Sequence, residues 1–73
     1  MTRDEFIILL VEEIEITSIK LTPLTQWSKV LEYDSMAVMT IVALCDEYFG
    51  KKFTALQVGK MKTVSELLEA IGI

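Results

Sequence analysis

The fold is decided by residues 31–50, which read LEYDSMAVMTIVALCDEYFG. Apolar side chains recur there with the i, i+3, i+4, i+7 spacing of one helix face, at Val38, Ile41, Val42, Cys45 and Phe49. Gly50 follows, and glycine commonly ends helices because it adopts the left-handed conformation without steric cost. The stretch therefore predicts a helix that begins at Asp34 or Ser35 and ends at Phe49.

Amphipathic helices are also predicted at both ends of the chain. Thr2 with Glu5, and Thr63 with Glu66, have the spacing of a capping box, which marks a helix start. Single apolar stripes follow: Phe6, Ile7, Leu10, Val11 and Ile14 in the first helix, and Val64, Leu67, Leu68 and Ile71 before Gly72 in the last. A short third helix is expected near Ala55–Gly59.

Between the first two helices, from about Thr17 to Tyr33, the helical periodicity fails. Pro23 lacks an amide hydrogen and disfavours a helical residue before it. Five apolar residues are expected to anchor this long loop to the core, with a short helical turn within 27–31: Leu21, Leu24, Trp27, Val30 and Leu31. The sequence thus predicts a single all-α domain over residues 1–73, a four-helix bundle with three main helices and a short third helix.

Composition excludes several classes of function. The chain has no histidine and one cysteine, so Ser-His-Asp or Cys-His catalysis, a conventional zinc site and an intrachain disulfide are ruled out, and we expect no enzyme activity and no bound metal. The net charge of −4 argues against nucleic acid. The longest apolar run, residues 6–11, is too short to span a bilayer. We expect a cytoplasmic monomer without membrane insertion.

The residues that could form a functional site are Asp34, Ser35 and Met36, at the junction of the long loop and the second helix. A helix start presents unpaired amides and the positive end of the backbone dipole, and so favours an anion. A serine there can carry a phosphate without placing charge in the core. Asp34 is also suited to cap the helix, since aspartate accepts amide hydrogens at that position.

These residues and their surroundings resemble the acyl carrier protein family, in which a serine within an Asp-Ser-Leu motif opens the second helix. The resemblance extends through GKKF at residues 50–53 and MKTVSELLEAIG at residues 61–72, which are similar to the short third helix and the final helix of that family. The first helix and the loop agree in length and pattern, so the resemblance covers essentially the whole chain.

The resemblance implies that Ser35 receives 4′-phosphopantetheine from coenzyme A through a separate magnesium-dependent phosphopantetheinyl transferase, and that Asp34 assists this attachment. Met36 stands where the family usually has leucine, a volume-conserving exchange. The thiol of the arm would hold acyl groups as thioesters for acyl-loading and acyl-processing enzymes of fatty-acid, lipid or polyketide-type biosynthesis.

Two departures from the family bear on partners. Family carriers have acidic residues along the second helix, whereas this chain has Ala37 and Thr40 at two such positions, and Glu32 replaces a glycine that often precedes the motif. We expect an outward, partner-binding face that is unusually apolar: Ala37, Thr40, Leu44, Glu47 and Tyr48. This pattern favours a specialised carrier over the general fatty-acid one.

Other side chains are predicted to have only packing roles. Cys45 lies on the apolar stripe, and Met39 and Met61 are expected in the core because methionine fills irregular space. Two alternative functions stay open. The chain could be an aminoacyl or peptidyl carrier, or it could be a helical interaction module that carries no arm.

Overall fold

The computed structural model describes residues 1–73 and contains four α-helices and no strand. The helices are α1 (Arg3–Ile14), α2 (Ser35–Phe49), α3 (Ala55–Gly59) and α4 (Val64–Ile71). The all-helical class, the three main helices and the short third one are confirmed. No helix combines the length and the apolar character needed to cross a membrane.

Side-chain caps fix the helix starts. Thr2 Oγ1 accepts a hydrogen bond from the Glu5 amide at 3.2 Å, and Glu5 Oε1 accepts one from the Thr2 amide at 2.8 Å. Thr63 and Glu66 repeat this box at α4. The sequence analysis missed a third box, formed by Thr54 and Gln57 at α3. Together these caps satisfy amides that a helix start leaves unpaired, so the predicted starts are well defined.

The core lies between the three main helices. The α4 stripe is fully buried as predicted, and Phe6 of α1 meets Phe49 of α2 edge to face, with ring centroids 5.2 Å apart. Such aromatic pairs stabilise by roughly 0.5–1.5 kcal/mol beyond the area they bury. The start of α1 is held near the C-terminus by Arg3, whose Nε donates to the carbonyl oxygen of Ile73 at 2.8 Å.

The long connection between α1 and α2 contains one 3₁₀ turn at Trp27–Lys29. It is joined to the start of α4 by backbone hydrogen bonds, because Trp27 N donates to the carbonyl oxygen of Lys62 and Val64 N donates to that of Thr25. Gln26 and Thr63 form an isolated antiparallel bridge at the same place. The loop is therefore an ordered part of the structure.

Three of the five predicted loop anchors are buried: Leu21, Trp27 and Val30. The prediction was wrong for Leu24 and Leu31, each of which is 86% exposed. Each of them lies at the corner of a turn, since Thr25 N donates to the Thr22 carbonyl oxygen around Leu24 and Tyr33 N donates to the Val30 carbonyl oxygen around Leu31. Such connecting turns run over the protein surface, so both side chains project into solvent.

The face that α2 buries includes the predicted stripe and extends beyond it. Ile41 and Cys45 are buried, and the rest of the stripe packs half-buried against the core: Val38, Val42 and Phe49. Ala37 and Leu44, expected on the outward face, are buried, together with Ile41 and Cys45. Apolar residues occur all around α2, so the helical spacing alone did not fix which edge of the apolar stripe faces the core. The buried face is rotated towards Ala37 and Leu44, and the solvent-facing side of the helix moves with it.

Candidate functional site

Ser35 is the first residue of α2, and its side chain is exposed. Asp34 precedes it with an extended backbone and caps the helix, because its Oδ1 accepts a hydrogen bond of 2.9 Å from the Ala37 amide. The predicted placement of Ser35 at the start of the second helix and the predicted capping by Asp34 are both confirmed. The cap therefore fixes Ser35 as the first residue of α2, with its side chain exposed.

The local electrostatics tolerate an anion on Ser35. The first turn of α2 contains no acidic residue, and the partial positive charge of the helix start lies there. Asp34 is the acidic group next to Ser35, and its carboxylate is already engaged by the Ala37 amide. A phosphodiester on Ser35 would lie on the surface beside free amides, so its negative charge would not be buried.

The Ser35 hydroxyl makes no side-chain hydrogen bond within the chain. Among the side-chain hydrogen bonds near the start of α2, Asp34 pairs with Ala37 and Thr40 pairs with Met36, and neither involves Ser35. A serine nucleophile needs an adjacent base to activate it. The arrangement therefore offers an accessible hydroxyl with no base hydrogen-bonded to it.

A shallow groove of about 420 Å³ runs from Ser35 along the outer side of α2. Met36 and Met39 line it and are 77% and 56% exposed, and Ala43 continues it. Thr40 also lines the groove, and its hydroxyl donates to the Met36 carbonyl oxygen at 3.0 Å. Because that hydroxyl is satisfied within the helix, the groove surface next to Ser35 is mainly apolar.

The outer face of α2 thus consists of different residues from those predicted. Of the predicted set, Glu47 and Tyr48 are exposed and Thr40 is half-buried. Ala37 and Leu44 are buried and so cannot contact a partner. The residues that the sequence analysis missed are Met39 and Ala43, which recur at helical spacing with Glu47 and with Met36, a residue predicted for the attachment site only. The prediction that Met39 packs in the core was wrong, while Met61 packs against the core, partly buried.

The loop before Ser35 is fixed by Glu32. Its Oε2 accepts hydrogen bonds from the amides of Thr17 and Ser18 at 3.0 and 3.1 Å, and its Oε1 accepts one from the Ser18 hydroxyl at 2.6 Å. The Ser18 hydroxyl and the Thr17 amide hold the pKa of Glu32 at about 2. A residue that departs from the family pattern therefore ties the end of α1 to the segment that leads into α2.

A second concave site borders this segment at Tyr33. It is a cleft of about 700 Å³ between the loop and the α3–α4 junction, lined by Trp27, Tyr33, Met61 and Lys62 among others. The rings of Trp27 and Tyr33 stack with centroids 4.8 Å apart. The Tyr33 hydroxyl is shielded from solvent but has no hydrogen-bond partner, which costs roughly 1–3 kcal/mol. Burial also raises the pKa of Tyr33.

The structure contains neither a cluster of metal-ligating side chains nor an exposed thiol. No three side chains among histidine, cysteine, aspartate and glutamate converge on one point. Cys45 is buried in the core, and burial raises the pKa of its thiol to about 11. A thiol that is buried and protonated is a poor nucleophile, in agreement with a packing role for Cys45.

No protein-family model matches the chain, and neither the curated proteins nor the solved structures include a significant match to it. A function is therefore inferred from the sequence resemblance and from the geometry around Ser35.

Proposed function

We propose that the chain is an acyl carrier protein and that Ser35 bears a 4′-phosphopantetheine arm. The observation that carries this proposal is the exposed Ser35 hydroxyl on the first residue of α2, held there by the Asp34 cap and free of other hydrogen bonds. The order of the elements supports a carrier-type arrangement, since a long ordered loop precedes α2 and a one-turn helix separates α2 from α4.

The chain's own part in loading is to present an oxygen. Ser35 Oγ would form a bond to phosphorus while the phosphoanhydride bond to the nucleotide half of coenzyme A breaks, and the hydroxyl proton would pass to the transferase. By resemblance to the family, Asp34 assists this metal-dependent step. Once attached, the arm supplies a thiol on which acyl groups are held as thioesters.

The surroundings of Ser35 fit such an arm. The phosphodiester would lie at the positive end of α2, and the first carbon atoms beyond it could rest in the apolar groove of Met36, Met39 and Ala43. This groove would also be the contact surface for partner enzymes. Asp46 and Glu47 lie at the far end of α2, which contains no lysine or arginine, so a partner with an apolar patch flanked by basic residues would be complementary.

A specialised carrier remains our preferred assignment over the general fatty-acid one, because the centre of this face is apolar where family carriers are acidic. Its partners would be a phosphopantetheinyl transferase and acyl-loading and acyl-processing enzymes of lipid or polyketide-type biosynthesis. The rival within carriers, an aminoacyl or peptidyl carrier, is tested by comparing the loading of the arm by acyl and aminoacyl ligases.

One observation favours a different function, an interaction module that carries no arm. Exposed methionines such as Met36 and Met39 are common at protein-binding surfaces, and they would form such a surface without any modification of Ser35. Treatment with a phosphopantetheinyl transferase separates the two functions, because an interaction module gives no reason for Ser35 to accept the arm.

The experiment is to incubate the protein with coenzyme A, Mg²⁺ and a broad-specificity phosphopantetheinyl transferase, and then to measure its intact mass. We expect the mass to rise by one phosphopantetheine group in the wild type and in Ser28→Ala, a matched exposed serine, but not in Ser35→Ala. No gain under conditions that load a control carrier would favour the interaction module.

A further inference from the structure

The segment that joins α2 to α4 has charges of one sign only. Residues 48–65 contain no aspartate or glutamate but four of the seven basic residues of the chain: Lys51, Lys52, Lys60 and Lys62. The remainder of the chain has eleven acidic residues against three basic ones, a net charge of −8. The molecule therefore has a strongly acidic body and one basic segment, residues 51–62.

All four lysines of the basic segment are exposed. The side-chain hydrogen bonds of this region join Thr54 to Gln57 and Thr63 to Glu66, and no lysine ammonium group takes part in them. Glu66 is the carboxylate that contacts the segment, and its Oε2 accepts hydrogen bonds from the amides of Lys62 and Thr63 at 2.8 Å. The lysine charges therefore remain free to pair with a partner.

Leu56 is the apolar centre of this surface. It lies on α3 and is 69% exposed, whereas Val58 of the same helix is buried in the core. Val58 and the capping box of Thr54 and Gln57 hold α3 in place, so Leu56 is fixed in its outward position. A helix of five residues is about 7.5 Å long, so one partner can contact the lysines at both of its ends. An apolar centre with a polar rim is the usual composition of a protein–protein interface.

The basic segment runs beside α2. It begins directly after Gly50, where α2 ends, α3 lies against α2, and Lys62 lines the cleft that Tyr33 borders. Tyr33 is two residues before Ser35, and two residues span at most about 7 Å. A protein that lies along α2 and reaches Ser35 therefore also meets the basic segment.

We infer that the basic segment is a docking surface for a protein partner whose own surface is rich in carboxylates around an apolar pocket for Leu56. Opposite charges at the rim would steer such a partner and fix its register, and a partner with lysine or arginine there would be repelled. The contact needs no arm on Ser35, so it goes beyond the proposed function. For the proposed carrier, an enzyme acting on the arm would have acidic residues facing α3.

An anionic membrane matches this surface less well. The acidic body of the molecule would be repelled by the same lipids that attract the lysines. Helices that lie in a membrane surface insert a continuous apolar face, whereas α3 is a five-residue helix with a single exposed leucine.

The test adds a peptide of glutamates around a central leucine to nitrogen-15-labelled protein and follows the amide resonances by NMR. We expect shifts within residues 51–62 that saturate with peptide and weaken at high salt. Lys51→Gln combined with Lys52→Gln should weaken binding about threefold to tenfold, because each exposed ion pair contributes modestly. The matched control, Lys20→Gln combined with Lys29→Gln, removes two exposed lysines outside the segment and should bind like the wild type.

The apolar centre is tested with a second pair of variants. Leu56→Ala should weaken binding of the peptide several-fold, whereas Leu24→Ala removes an exposed leucine outside the segment and should not. Both proteins should remain folded, since neither side chain is buried, and their amide spectra report this directly.

Several outcomes would overturn the inference. One is an affinity for the peptide that is unchanged in the Lys51→Gln, Lys52→Gln protein, and another is a set of shifts spread equally over Lys20, Lys29 and the basic segment. Binding to vesicles of phosphatidylcholine and phosphatidylserine, without binding of the peptide, would make the ligand a membrane. Self-association that is lost in the same variant would make the occupant a second copy. Loading of Ser35 is measured separately by intact mass, so these results leave the carrier function intact.

Discussion

Glu32 accepts a 2.6 Å hydrogen bond from the Ser18 hydroxyl, across fourteen positions of the chain. The same carboxylate also accepts hydrogen bonds from the amides of Thr17 and Ser18, just beyond the end of α1. The contact closes the first half of the long loop onto the segment that enters α2. Because Ser35 lies three residues after Glu32, the position of the proposed attachment site depends on this loop closure.

Replacing Glu32 by glutamine should destabilise the protein. The amide side chain keeps the shape but loses the charge, and hydrogen bonds to a charged acceptor are stronger than those to a neutral one. We expect Glu32→Gln to unfold at lower urea concentration at neutral pH than the wild type. Glu47→Gln is the matched control, since Glu47 is an exposed glutamate without hydrogen bonds to the chain, and it should unfold like the wild type. Equal midpoints for all three proteins would remove the structural role given to Glu32.

The stabilisation by Glu32 should also depend on pH in a defined window. Its pKa falls from 4.5 to about 2 on folding, so the folded state favours the ionised carboxylate. The contribution is therefore fully present above about pH 4.5 and is lost as the pH falls towards 2. The difference in unfolding free energy between wild type and Glu32→Gln should be constant near neutrality and shrink through that window.

The comparison between variants is needed because other carboxyls act in the same direction. Amides of Thr2 and of Lys62 lower the pKa values of Glu5 and Glu66, respectively, so the wild type loses stability in acid for several reasons. Urea unfolding curves of both proteins, recorded from pH 7 to pH 2.5, give the contribution of Glu32 as the difference between their unfolding free energies. A difference that stayed constant across this range would contradict the assignment.

Asp34 is expected to have two separable roles. Asp34→Ala removes the cap of α2 and should lower the unfolding free energy by about 1 kcal/mol, whereas Asp34→Asn keeps a capping oxygen and should remain close to the wild type. If the carboxylate assists the transferase, both variants should accept the arm several-fold more slowly. Denaturant unfolding and a time course of intact mass measure the two effects. Loading of Asp34→Asn at the wild-type rate would limit Asp34 to capping.

The outer face of α2 should tolerate substitution without loss of stability. Met39→Ala should change the unfolding free energy by less than about 0.5 kcal/mol, because the side chain is largely in solvent. Ile41→Ala, two residues along the same helix but fully buried, should cost about 2–5 kcal/mol. The Met39 variant should instead raise the KM of the transferase for the carrier. A large loss of stability in Met39→Ala would show that the groove is part of the core.

The helices could be predicted from the sequence because their signals are local. The Thr2–Glu5 and Thr63–Glu66 boxes and the glycines at the helix ends act through neighbouring residues, and the starts and stops fall where these signals lie. The placement of Ser35 followed from the same logic, since the Asp34 cap defines the first residue of α2.

What sequence could not determine depends on contacts between distant segments. The rotation of α2 that buries Ala37 and Leu44 is set by the elements packed against it, and an almost wholly apolar helix gives no internal sign of that direction. Leu24 and Leu31 are exposed because each lies at the corner of a surface turn, which no periodicity reveals. The Glu32 contact joins residues far apart in the chain, and a single loop glutamate has no signature that would have predicted it.

The most direct test of the central claim is to locate the modification by fragmenting the transferase-treated protein in a tandem mass spectrometer. We predict that the fragment ions bracket the added mass between Asp34 and Met36, with loss of the pantetheine portion as the diagnostic reporter, and that Ser28 and Ser65 stay unmodified. Added mass on either of those two serines, or none on Ser35 after a control carrier has been fully loaded, would contradict the account.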